Sequence, residues 1–116
     1  MNSRELAIKT LEEKGEVVLR CNGGSMRPIL LPKEAIHVKK VAPEQLRVGD
    51  AVFCRINHNL QVHKITHIDQ KHHRYEISNN LGFRNGVIGV GSIFGLAVRV
   101  EDRVLVSDEE LAERAE

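Results

Sequence analysis

Phe94-Gly95-Leu96-Ala97-Val98-Arg99-Val100 alternates large apolar residues with Gly95, Ala97 and Arg99. That period of two is the signature of a half-buried β-strand, because successive strand side chains point to opposite faces. Similar short runs recur upstream, each bounded by turn-forming residues. Tyr75-Glu76-Ile77, Gln61 to Ile68, and Ala51 to Ile56 behind the Val48-Gly49-Asp50 turn all read as strands. So do Ala35 to Val38 and Val17 to Leu19. Downstream, Val104-Leu105-Val106 is placed to pair with the 94–100 strand across Glu101-Asp102-Arg103. The glycine-rich stretch from Gly86 to Gly95 reads as a bulged turn entering that strand.

Strands this short and closely spaced predict a mainly β fold: a coiled, partly closed β-sheet or barrel. Two helices flank it. Asn2 to Glu13 carries Leu6, Ile8 and Leu11 on a modest apolar side, with Asn2 and Glu5 in capping-box spacing and Gly15 as the stop. Ser107 and Glu110 repeat that spacing ahead of a polar C-terminal helical tail, Asp108 to Ala115, expected to fray. With 116 residues and neither repeats nor linkers, the chain reads as a single domain over 1–116, its core within about 17–106.

Charge and composition narrow the function. Seventeen basic against sixteen acidic residues lack the basic excess of a nucleic-acid binder, and three Phe, one Tyr and no Trp leave few platforms for stacking bases. No stretch approaches the roughly 20 apolar residues of a membrane span, and none resembles a signal peptide. Cys21 and Cys54 are too few for a disulfide framework. The expectation is a cytoplasmic protein without a membrane span. Six histidines raise a metal reading, and His63 and His67 would share a face of a straight strand. The two cysteines, however, are not spaced as ligands beside them, so no metal site is expected. The 86–95 glycines match neither phosphate-binding spacing, and nothing calls for a cofactor.

The chemistry concentrates in two places. Ser25 lies in Gly23-Gly24-Ser25-Met26-Arg27-Pro28. The glycines permit close approach of a substrate backbone, the amides of Gly24 and Ser25 are candidate oxyanion donors, and Pro28 fixes the exit of the turn. A serine hydroxyl needs a base. Val62-His63-Lys64-Ile65 supplies two candidates, and strand alternation allows only one of them to face Ser25. The plainer reading of the first segment is a Gly-Ser turn joining two strands.

These spellings resemble the peptidase superfamily that joins signal peptidase I to the LexA-like self-cleaving proteins. The resemblance covers about Val17 to Val100 and comprises four segments in family order. They are the Gly-x-Ser-Met-x-Pro nucleophile segment, Val48-Gly49-Asp50-Ala51-Val52, Val62-His63-Lys64-Ile65, and Ile93 to Val98 as closing strand. It implies Ser25 as nucleophile and His63 as base, with Lys64 as the alternative base. Gly23, Met26 and Pro28 would line a peptide groove. In its dyad the chain is similar to the endoplasmic-reticulum and archaeal type of signal peptidase, which places histidine at this point.

Several departures accompany the resemblance. The histidine-type enzymes usually carry Gly-Asp-Asn after the base, whereas Ile77-Ser78-Asn79-Asn80-Leu81-Gly82 has no acid, leaving Asn79 or Asp69 to orient the imidazole. Gly23 stands where bacterial signal peptidases often have a serine. The chain has neither the signal peptidase anchor nor the cleavable Ala-Gly or Cys-Gly linker of LexA-like repressors. A peptide supplied in trans is therefore the expected substrate. The alternative is a catalytically weak or inactive module that binds an extended peptide or protein partner. Oligomeric state is not legible.

Overall fold

A computed structural model describes residues 3–20, 33–79 and 82–115. Among them, helix α1 (Ser3–Lys14) precedes strands β1 (Glu16–Leu19), β2 (Ile36–Lys39), β3 (Ala51–Ile56), β4 (Asn59–Asp69) and β5 (Arg74–Ser78). Strands β6 (Arg84–Gly89), β7 (Ile93–Val100) and β8 (Arg103–Val104) follow, and helix α2 (Asp108–Arg114) closes the chain. All eight strands belong to one sheet in the order β1-β2-β7-β3-β4-β5-β6, with β8 also on β7. The described pairings are antiparallel.

The mainly β expectation holds, but the sheet is not closed into a barrel: its path ends at β1 and β6. It coils instead. Register shifts interrupt the β2–β7, β3–β7, β4–β5 and β5–β6 ladders, and such bulges sharpen local twist. The coil brings β6 over the tip of the β3–β4 hairpin. There Asn57 Nδ2 donates to the Asn85 carbonyl at 3.3 Å, and a Cβ at Gly86 would sit 3.2 Å from Ile56 Cδ1.

Both faces of the central strands β3 and β7 are largely buried. On one face Ala7 and Leu11 of α1 join Ile36, Val38, Phe53, Val62 and Ala97, with Ile8 partly buried against them. The other, inner face gathers Val52, Cys54, Ile65, Ile77, Leu96 and Val98, and receives Leu46 and Leu111 from outside the sheet. Each fully buried Leu, Ile, Val or Phe contributes about 1.5–3 kcal/mol of transfer free energy. Leu6 points away from this packing and is 53% exposed, so the apolar side of α1 is Ala7, Ile8 and Leu11 rather than Leu6, Ile8 and Leu11.

Three further expectations are corrected. The 94–100 strand is central rather than half-buried: Gly95 to Val98 are buried on both faces, because β2 and β3 flank it and both sides of the sheet are covered there. The glycine-rich turn contains a strand, β6, whose ladder with β5 tolerates Gly86 at φ 154° and Gly89. Glycines hid it by lowering apparent strand propensity. The pairing after Glu101 is confined to Arg103 and Val104.

The C-terminal tail is docked, not frayed. Ser107 caps α2 by accepting from the Glu110 N–H at 3.1 Å. At the other end Arg114 Nη1 donates to buried Asp50 Oδ2 at 2.8 Å and to the Gln45 carbonyl at 3.1 Å. Lys39 Nζ meets Asp108 Oδ1 at 2.9 Å. The Asn2 cap of α1 lies outside the described residues. Among those residues no helix is long and apolar enough to cross a membrane.

Two outcomes follow from this packing. A Cβ at Gly95 would lie 2.5 Å from Val38 Cγ1 and 3.0 Å from the Lys39 carbonyl oxygen. Gly95→Ala should therefore cost about 1–3 kcal/mol of stability by urea titration. Arg114→Ala strands the Asp50 carboxylate without its cation and should cost about 3 kcal/mol, whereas Asp50→Asn combined with Arg114→Met should recover much of that loss.

Candidate functional site

The two candidate bases are separated by the β3–β4 register. Val52 stands opposite His63 and Ala51 opposite Lys64. Paired residues share a face, so His63 lies on the inner side with Val52, and Lys64 on the side of Ala51 and Phe53. Lys64 is also opposite Ser78 of β5. It is half-buried and makes no hydrogen bond or ion pair among the described residues.

His63 is 6% exposed. Burial lowers its pKa below the ordinary 6.5 because a low-dielectric surrounding penalises the imidazolium, and the Val62 backbone opposes this only in part. Its Nδ1 is buried with no partner of hydrogen-bond geometry among the described residues. At neutral pH the ring is uncharged, with a lone pair available to accept a proton.

Neither candidate orienter holds the ring. Asn79 lies just past the end of β5, one residue beyond the Lys64–Ser78 pair. Its Oδ1 accepts the Phe83 N–H at 3.0 Å, and its own N–H donates to the Phe83 carbonyl at 3.0 Å. The side chain thus builds the β5–β6 turn. Asp69 lies six residues beyond His63 on β4, about 20 Å along the strand. There it shares a 2.8 Å hydrogen bond with His72 Nδ1, which holds the Asp69 carboxyl below its ordinary range.

Ser25 and its neighbours Gly23, Gly24, Met26 and Pro28 lie outside the described residues. The neck of that segment is described. Leu19 and Ile36 are the last paired residues of β1 and β2. Beyond them Arg20 Nη1 donates to the Lys33 carbonyl. Ala35 and Glu101 exchange two hydrogen bonds of 2.8 Å, one through each backbone N–H, and Arg103 pairs with Glu34 at 2.7 Å. Tracing the registers across β7 puts this neck at the end of the sheet where β3 begins.

Asp50 is the residue that sequence reading missed. Its carboxylate accepts the Arg47 N–H and the Arg114 guanidinium, each at 2.8 Å. Its carbonyl accepts the Ile65 N–H at 2.9 Å, while the Gly49 N–H donates to the Ile65 carbonyl at 2.8 Å, with Gly49 at φ 98°. The Gly-Asp element therefore fixes β4 two residues from His63. The turn was legible; the cation that satisfies the aspartate comes from the far end of the chain.

The remaining histidines disperse. The register shift between Ile65 and His67 leaves His67 exposed, away from His63. His58 and His73 occupy positive-φ positions, and His37 lies against Arg99. Among the described residues no three His, Cys, Asp or Glu side chains gather as a metal site. Burial pushes the Cys54 thiol up to about 12, so it is no nucleophile at neutral pH.

A scan against protein-family models finds no match to this chain, and a search of curated proteins finds none either.

The state of His63 has a measurable consequence. Its folded pKa lies below the unfolded value, so the unfolded chain takes up this proton first. Its contribution to stability is complete above about pH 6.5 and declines as pH falls toward the lowered folded value. His63→Leu should show a smaller loss of stability than the parent between about pH 8 and pH 5, read from urea midpoints.

Proposed function

We propose that this chain is a soluble, cytoplasmic serine-type endopeptidase that cleaves a peptide substrate in trans through Ser25 and His63. The observation that carries this reading is the buried, uncharged imidazole with an unpartnered Nδ1, placed where the resemblance puts the base. The span is compatible. Ser25 is six residues beyond Leu19, a reach of up to about 20 Å. His63 lies roughly four strand spacings, or about 19 Å, across from β1, before side chains close the remainder.

In the proposed reaction the imidazole removes the Ser25 hydroxyl proton as Oγ attacks the substrate carbonyl. The amides of Gly24 and Ser25 hold the oxyanion, and the proton passes to the departing amine. Water then hydrolyses the acyl-enzyme with His63 again as base. Lys64 faces away from His63, so it takes the role only if Ser25 approaches the other side of β4.

A second reading, a binding module with little chemistry, is favoured by one specific observation. Asn79 and Asp69 are engaged elsewhere, and no carboxylate bonds the ring among the described residues.

Peptide-library cleavage distinguishes them. Ser25→Ala and His63→Ala should each lower turnover by about 10²–10⁴-fold, while Lys64→Met retains it. The rate should fall as pH drops through the imidazole pKa, on a limb below pH 6.5. Equal turnover in all variants rejects the peptidase, and loss with Ser25→Ala and Lys64→Met but not with His63→Ala moves the base to Lys64.

A further inference from the structure

A second surface is built independently of the dyad and does not rest on the peptidase reading. The registers align Val18 of β1 with His37 of β2, His37 with Arg99 of β7, and Arg99 with Val104 of β8. These four side chains therefore form one straight row across a single face of the sheet. The ends are apolar and open: Val18 is 54% and Val104 63% exposed. The middle is cationic. Arg99 Nη2 lies 3.3 Å from His37 Nδ1 and 3.2 Å from Nε2, against the ring, and neither side chain has an acidic partner among the described residues.

This row floors a groove of about 610 Å³ bordered by Val106 and the start of α2. Lys14 contributes a further cation. Lys39 is already satisfied by Asp108, and Glu16 stands in the adjacent row opposite Lys39. The groove shares its face with His63, but β3 lies between the row and β4.

The dimensions select an occupant. Four adjacent strands place Val18 about 14 Å from Val104. In an extended peptide, alternate side chains on one side recur at about 6.6–6.8 Å, so residues i and i+4 are separated by about 13–14 Å. The geometry points to a docking site for an extended partner segment of the pattern aliphatic-x-acid-x-aliphatic, lying across the strands. The outer aliphatic residues cover Val18 and Val104, and the central carboxylate meets the fork of Arg99 over His37. The carboxylate supplies the charge this row lacks, and the guanidinium offers it paired donors. Covering the two exposed valines provides the apolar contribution.

The test uses the full chain with Ser25→Ala, so that no peptide is consumed, labelled with ¹⁵N and titrated with acetyl-Leu-Ser-Glu-Ser-Leu-amide. Saturable shifts centred on the amides of Val18, His37, Arg99 and Val104 are expected. Affinity should fall by about tenfold or more with the Gln-for-Glu peptide and with Arg99→Gln, since a charge-assisted pair is lost. Thermal unfolding of Arg99→Gln checks that the variant is folded, and a His37→Gln variant provides a second probe of the row. Equal binding of the Glu and Gln peptides would overturn the proposal. So would shifts centred on β4 around His63, saturation of the same amides by acetate alone at equal affinity, or no saturation at all.

Discussion

The pairing of Val52 with His63 is the constraint on which the candidate site depends. A strand has only two sides, and slipping this ladder by one residue would exchange them, placing Lys64 within and the imidazole without. The register is held because the exchange would also move Val62 off the face it shares with Phe53 and Ile65 off the face it shares with Val52 and Ile77. Hydrophobic burial on both sides of β3 and β4 thus sets the environment of one polar ring. Its lowered pKa is a consequence of packing rather than of a charged neighbour.

The sheet is kept in this arrangement by two contacts between distant parts of the chain. The missing side chain of Gly95 lets β2 come close to β7, so that Val38 and Lys39 occupy the space a Cβ would need. The Asp50–Arg114 pair fastens the C-terminal helix over the turn that starts β3, and the same carboxylate closes that turn through the Arg47 N–H. A buried ion pair of this kind adds little net stability against an apolar replacement but makes loss of either partner costly. Its role is to specify where α2 lies.

Strands with β-branched residues between turn signals were legible: β3 was placed with its bounds and β1, β2, β4, β5 and β7 within about two residues. The strand over 84–89 was not, because Gly86 and Gly89 carry no side chain from which a period of two can be read. Open versus closed architecture was also out of reach, since it depends on bulges whose positions are set by packing between strands. Among the site residues, His63 and Lys64 were legible as rivals through the resemblance, and alternation put them on opposite sides of the strand. The engagement of Asn79 by Phe83 and of Asp69 by His72 was not, because each local bond competes with a distant one that sequence cannot rank.

What the sequence determined by itself was local: a period-two pattern, helix caps such as Ser107, and two adjacent ionisable residues confined to opposite sides of a strand. Tertiary structure decided which side was dry, that Arg114 would answer Asp50, and that Val18, His37, Arg99 and Val104 would fall into one row. The physical reason is range. Steric and capping preferences act within a few residues, whereas burial and cross-strand register join groups dozens of residues apart and exist only once the sheet has formed.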